Sequence, residues 1–289
     1  MKKYKRQFLG IEDQHFTYAD SAIIIVPFPF EGAVSYGKGT AEGPDAIIDA
    51  SYYLEFYDEV LNVEPFRKGI FTAAPPSIPA APDRMVETVY STIRDILPDD
   101  KFIVSIGGDH SISSGFVRAL HEKYPTLSVI QFDAHADLRD SYEGTPFSHA
   151  CAMSRIREIT RHTLQLGIRS MSIEEADLVK KENLSLVTMH QLRGRSADIL
   201  SLLAKLPDPV FITFDVDAFD WSVVRSTGTP EPGGLLWDET MQLLGAIFSM
   251  KDVIGFDVVE LSRRADDANS PFAVAKLIYK MIGFKFFGR

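Results

Sequence analysis

The feature that most limits how this chain can fold is a series of short apolar, β-branched runs that scarcely alternate with polar residues. The clearest are Ala22–Pro27, Phe102–Ile106, Leu127–Phe132, Thr163–Ile168, Leu184–Thr188, Val210–Phe214 and Val253–Val259. A run of strand length with no polar face suits a strand covered on both sides, as in a parallel sheet. Parallel neighbours need crossover connections, and helical periodicity appears in the gaps between the runs. Asp83–Leu97 places apolar residues at Met85, Val86, Val89, Ile93, Ile96 and Leu97, and a second pattern runs from Ser111 to Tyr124 with Pro125 as its stop. Asp238–Met250 and Pro271–Ile282 add two more, the last with proline at its first helical position. The alternation predicts an α/β fold of three layers, α-β-α, around a mostly parallel central sheet. The Pro-rich stretch Ala73–Pro82 reads as a surface connection, so residues 1–289 are expected to form a single domain.

Composition narrows the function. With 30 Lys+Arg against 40 Asp+Glu the net charge is −10, and no basic tract exists, which argues against nucleic acid as a partner. The hydrophobic share of 45% and charged share of 24% exclude a disordered chain. No run approaches the ~18 apolar residues of a membrane span. Where a signal peptide would need an apolar stretch, Phe8–Asp20 holds Glu12, Asp13, Gln14 and His15. Cys151 is the only cysteine, so no intrachain disulfide can form, and a cytoplasmic enzyme with no membrane partner is expected.

In an open parallel sheet, ligands bind beyond the carboxyl ends of the strands. Here those ends carry Gly107-Gly108-Asp109-His110-Ser111, Asp133-Ala134-His135-Ala136-Asp137, Asp215-Val216-Asp217 and Asp257-Val258-Val259-Glu260. A lone Asp after a strand is usually a cap or turn residue. The Gly-Gly pair is no phosphate loop, because no Lys-Ser/Thr follows and Asp109 would repel an anion. A whole edge of buried carboxylates is different, since unpaired buried charge costs several kcal/mol and a cation must hold it. His110, Asp133, His135, Asp137, Asp215 and Asp217 offer oxygen and nitrogen donors and no thiolate, which suits Mn²⁺. So many protein ligands suit two ions ~3.5–4 Å apart with bridging carboxylates.

These segments resemble the three signatures of the ureohydrolase (arginase/agmatinase) family. The likeness extends to Ser35-Tyr-Gly-Lys-Gly-Thr-Ala-Glu-Gly-Pro44 and to Thr227-Gly-Thr-Pro-Glu-Pro-Gly-Gly234. The resemblance implies the arginase-like fold and two manganese ions per subunit. One would be bound by His110, Asp133, Asp137 and Asp215, the other by Asp133, His135, Asp215 and Asp217. It also implies that a metal-bridging hydroxide attacks a guanidinium carbon. Asp137 would orient that hydroxide and relay its proton, His149 would protonate the departing amine, and Glu260 would grip the guanidinium through paired hydrogen bonds. The partners it implies are a small cationic guanidino substrate and further copies of the chain, as a trimer or hexamer.

Substrate choice rests on fewer residues. The arginase-type pattern for an α-amino acid is missing, since Arg139 and Pro146-Phe147-Ser148 stand where polar recognition residues are expected. Asp140 and Glu143 in the same segment are expected to face the distal ammonium of agmatine, giving putrescine and urea. Arg139 points instead towards guanidinobutyrate, and aminopropylagmatine and arginine are further alternatives. A single-metal deacetylase or a catalytically silent relative is disfavoured by the complete ligand set. Trp221, Arg225-Ser226 and Arg263-Arg264 depart from the family pattern without removing a ligand, whereas His15, His121, His162 and His190 read as structural.

Overall fold

The computed structural model describes residues 1–11, 16–32, 36–194 and 198–288; Glu12, Asp13, Gln14, His15 and Ser35 from the sequence reading lie outside the described residues. The first strand, β1 (Ile23–Phe28), leads to α1 (Gly43–Ser51) and the short β2 (Ile70–Thr72). Next come α2 (Pro82–Ile96), β3 (Phe102–Gly107), α3 (Ser113–Lys123) and β4 (Ser128–Phe132). The chain continues through α4 (Ala152–Ile159), β5 (Thr163–Ile168), α5 (Ile173–Glu182), β6 (Leu186–Thr188), α6 (Met189–Arg193) and α7 (Ile199–Lys205). It ends with β7 (Val210–Asp215), α8 (Trp237–Met250), β8 (Val253–Val259) and α9 (Asn269–Phe287).

The eight strands form one sheet in the order β2-β1-β3-β8-β7-β4-β5-β6, and every pairing is parallel. Side chains of a strand alternate between faces, and the two cores divide accordingly. Ile23, Ile25, Val104, Ile106, Ile212 and Phe214 join α1, α8 and α9 on one face. Ile24, Val26, Phe28, Ile103, Val129 and Phe211 join α2, α3 and α4 on the other. This is the expected α-β-α arrangement, with a sheet that is wholly parallel. Among the described residues no helix is long and apolar enough to cross a membrane.

Pro27 lies inside β1 at no cost to the sheet. Ile25 turns its carbonyl towards β2 and accepts from Ala73, so Pro27 faces the same side, but β2 pairs no further than Ile25. The missing N–H is therefore not needed. Elsewhere the strand topology sets the site. β3 and β4 are consecutive in the chain yet separated in the sheet by β8 and β7, which fill the gap later. The four strands whose ends carry the acidic motifs are thus side by side, at the middle of the sheet.

Two expectations need adjusting. Pro271 is the third residue of α9, which starts at Asn269 and continues to Phe287, beyond the predicted Ile282. The predicted helix from Ser111 begins as a 3₁₀ turn, His110–Ile112, capped by the Asp109 carboxylate accepting from the Ser111 N–H at 2.9 Å.

Candidate metal centre

Each motif reaches the centre through a local backbone device. After β3, Gly108 brings its backbone so near Phe30 that a Cβ there would lie 2.0 Å from the Phe30 carbonyl oxygen. The Gly-Gly pair therefore serves close packing, and it sets His110 directly over the sheet edge. The Glu260 N–H donates to the Gly108 carbonyl at 2.7 Å, and the His110 N–H donates to Glu260 Oε1, also at 2.7 Å. Beyond β4, Asp133, His135 and Asp137 recur at every second residue of the segment that leaves the strand. Asp137 and Glu260 both sit at positive φ, 54° and 67°, a region that costs non-glycine residues on the order of 1–3 kcal/mol. Strain of that kind at two carboxylates of one cluster is characteristic of functional sites.

The side chains form two overlapping groups: His110, Asp133 and Asp137, and Asp133, His135 and Asp217, in each of which the ligating atoms lie within 4.8 Å of one another. Asp133 belongs to both. His110 Nδ1 is 3.0 Å from Asp137 Oδ2, 3.2 Å from Asp133 Oδ2 and 3.4 Å from Asp215 Oδ2. His135 Nδ1 is 2.9 Å from Asp217 Oδ2 and 3.6 Å from Asp133 Oδ1. Asp215 stands outside both tight groups but within reach of the first. His110 Nδ1 and Asp217 Oδ2 are buried and, despite these short approaches, make no aligned hydrogen bond. Donor atoms that converge without pairing are what a divalent cation requires, and nitrogen and oxygen donors without sulfur fit a hard or borderline ion.

Neighbours fix these side chains. The Gln131 amide donates to Asp133 Oδ2 at 2.6 Å and is itself held by Gln165, which also donates to the Ala136 carbonyl at 2.7 Å. Asp217 Oδ1 accepts from the Ala134 N–H at 2.9 Å, and Asp215 Oδ1 accepts from the Asp217 N–H at 2.8 Å. His110 Nε2 lies 2.9 Å from the Thr213 hydroxyl. None of Gln131, Thr213 and Gln165 was singled out from the sequence. Their signal was there: a buried polar residue inside an apolar run, two residues before a ligand in the case of Gln131 and Thr213.

This crowding moves the proton affinities of the groups in different directions. Burial pushes Asp137 up to about 6, with Asp133 adding to the effect, and burial with Asp217 and Asp133 lifts Asp215 well above the carboxylate range. Burial opposes the charge on His135, but Asp217 and Asp133 overcome it and raise the imidazole to about 12. For His110 burial is again outweighed, by Asp133, Asp137 and Asp215. Asp133 is lowered, because the nearby imidazoles of His110 and His135 outweigh the burial penalty. Glu260 is raised by burial and by the charge of Asp109.

A cavity of about 250 Å³ opens at the centre, lined among others by His135, Asp137, Arg139, Tyr142, His149 and Thr229. His149 thus faces the same space as the ligands, with Ser148 Oγ 3.4 Å from its Nδ1 and Tyr142 edge-on at 5.9 Å. Arg139 places its guanidinium 5.2 Å from the Tyr142 ring. Asp140 and Glu143 are not brought into that lining. Asp140 is 95% exposed and bonded to Arg155 at 2.8 Å, and Glu143 is an exposed residue of the turn between Tyr142 and Thr145. The two flanking segments of the resemblance do meet: the Gly37 N–H donates to the Gly228 carbonyl at 3.0 Å, beside Glu260. Arg225 turns away to Asp266, the Arg263 N–H joins the Gly39 carbonyl at 3.0 Å, and Trp221 is 55% exposed.

Residues 21–283 match the model of the arginase family. An N(1)-aminopropylagmatine ureohydrolase from Synechocystis sp. is 40% identical over 290 residues, covering 96% of this chain and 94% of its own. An agmatinase from Pyrococcus horikoshii is 33% identical over 266 residues, covering 91% and 92%. The crystal structure of agmatine ureohydrolase of Thermoplasma volcanium is similar with a TM-score of 0.88 at 26% identity, covering 98% of this chain and 94% of that one.

Proposed function

This chain belongs to the arginase family, and from that premise we propose that it hydrolyses the guanidinium group of a small linear guanidino-amine of the agmatine type, releasing urea and a primary amine. The observation that carries the reading is the pair of ligand groups sharing Asp133, next to Glu260 and His149. His110, Asp133, Asp137 and Asp215 would hold one Mn²⁺, and Asp133, His135, Asp215 and Asp217 the other. Such a pair, when bound, supplies the charge that makes water nucleophilic at neutral pH.

The protein's own residues do the rest. Glu260, its Oε1 fixed by the His110 N–H, accepts hydrogen bonds from the planar cation and orients its carbon. Asp137 takes the proton of the attacking water. His149 delivers a proton to the alkyl nitrogen as its bond to the guanidinium carbon breaks, and the hydroxyl proton still on that carbon passes to solvent as the urea carbonyl forms, so that the amine leaves neutral. The whole of 1–289 acts as one domain in a cytoplasmic homo-oligomer, a trimer or hexamer.

Agmatine is the substrate first read from the sequence. A second reading, N1-aminopropylagmatine, is favoured by the 40% identity to the Synechocystis enzyme. The two share the guanidinium end and differ only at the far amine, so the same chemistry serves either. Urea release with manganese, measured on agmatine, N1-aminopropylagmatine, guanidinobutyrate and arginine, tests both. One of the first two should exceed arginine in kcat/KM by at least ~10², the upper end of the about 1–3 kcal/mol that an unmatched buried polar group costs. Comparable values for arginine, or a guanidinobutyrate preference abolished by Arg139→Ala, would overturn the reading.

A further inference from the structure

Arg169, the first residue past β5, has its guanidinium turned to main-chain oxygens. Nη2 donates to the carbonyls of Asp217 and Glu231, both at 2.7 Å, and to Phe219 at 3.3 Å. Nη1 reaches Gly167 at 3.2 Å and Ala218 at 3.4 Å, and Nε reaches Pro232 at 3.1 Å. A guanidinium carries five N–H donors, so six acceptors exhaust it, with at least one bond shared. The Arg169 N–H donates in turn to the Ala134 carbonyl at 2.8 Å.

These bonds connect the three segments that enclose the second ligand group. Ala134 lies between Asp133 and His135, and its own N–H holds Asp217 Oδ1. Residues 217–219 carry Asp217 itself. Residues 231–232 bring Glu231 Oε1 to 3.9 Å from His135 Nε2. The Arg169 side chain therefore holds the Asp217 segment to the 231–232 segment beside His135, a span that needs the fork of an arginine, while its main-chain N–H holds the Ala134 carbonyl.

We propose that Arg169 is a positioning residue for the ligand group Asp133–His135–Asp217 and sets the affinity of the second metal ion. The inference rests on the two-ion reading above. Its role is distinct from that of the ligands, because Arg169 offers a metal nothing; it acts by holding peptides whose side chains do.

The test is manganese titration of chelator-stripped full-length protein by calorimetry, with metal content and melting temperature measured alongside. Arg169→Lys keeps the charge but not the fork, and Arg169→Met removes both. The unaltered chain should bind two ions, and fewer would count against the two-ion reading itself. Arg169→Met should bind the first ion normally and the second at least ~10-fold more weakly, the range for groups that orient ligands. Arg169→Lys should fall between, and kcat should recover at high manganese. Two ions bound with unchanged affinities in Arg169→Met would overturn the inference, as would equal weakening of both ions. Failure of both variants to fold would overturn it too, by assigning Arg169 to the fold alone.

Discussion

Two histidines face one cavity, and their neighbours give them different work. His135 turns Nδ1 towards Asp217 and Asp133, whereas His149 meets the edge of Tyr142 and the Ser148 hydroxyl. His149→Asn should therefore retain two manganese ions by metal analysis while kcat falls by ~10²–10⁴, the contribution of one general acid. His135→Asn should lose metal. Equal metal loss in the two variants would remove the proton-delivery role from His149. Asp133 is the shared member of both groups, so Asp133→Ala should leave one ion or none and abolish urea release; full activity in chelator-treated protein would refute a metal-dependent reaction. The ligands were legible because their chemistry is unusual for the ends of apolar runs. Arg169 was not, since an arginine after a strand looks the same whether it meets solvent or six carbonyls. Nor could the exposure of Asp140 be read, because its distance from the cavity depends on how the 138–149 segment turns.

Elements were legible to the extent that a long periodic pattern defined them. β3, β5 and α2 fall within a residue or so of expectation, since their apolar runs are complete and punctuated by turns. β2 escaped notice because three residues carry no periodicity, and only the edge of β1 makes it a strand. α4 escaped notice because its eight residues make barely two turns, too few for the apolar face of Met153 and Ile156 to repeat. The start of α9 was misplaced for another reason: its N-terminus is set by Asp267, whose Oδ1 accepts from the N–H groups of Asn269 and Ser270 at 3.0 and 3.2 Å. Oδ2 accepts from the hydroxyls of Ser226 and Ser270, which ties α9 to the loop after β7. Burial would raise the Asp267 pKa, but these bonds overcome it and lower it from 3.8 to about 2. A folded pKa below the unfolded one means stability that is present above about 4 and lost as pH falls towards 2, worth about 2 kcal/mol. Asp267→Asn should thus be less stable by roughly that amount in urea unfolding at pH 7, with the gap roughly halved at pH 3 and nearly gone at pH 2. A gap that stays constant with pH would show that the charge of Asp267 contributes nothing.

At the scale of the whole molecule, the order of the strands would couple the proposed metal centre to stability. The proposed ligands sit at the ends of β3, β4 and β7, with Glu260 after β8, and these are the four central strands of the sheet. No part of the ligand set can come apart while that centre stays intact, so ions bound there stabilise the entire fold against unfolding. A ligand that binds only the native state adds about 4 kcal/mol at a free concentration of 1,000 times Kd. Unfolding entropy is ~2.1 cal/mol/K per residue near 60 °C, and over 289 residues that makes about 0.6 kcal/mol/K. Saturating manganese should therefore raise the melting temperature of chelator-stripped protein by ~7 °C for each site filled. Calorimetry should show the whole transition moving as one, because the sheet cannot melt around an intact centre. An unmoved transition at manganese concentrations where binding is measured directly would show that the unfolded chain binds the ions as tightly as the folded one, so that the fold does not build the centre. A transition that splits, with only one part shifting, would mean that the central strands do not unfold together and that the centre is held by a smaller unit than the sheet.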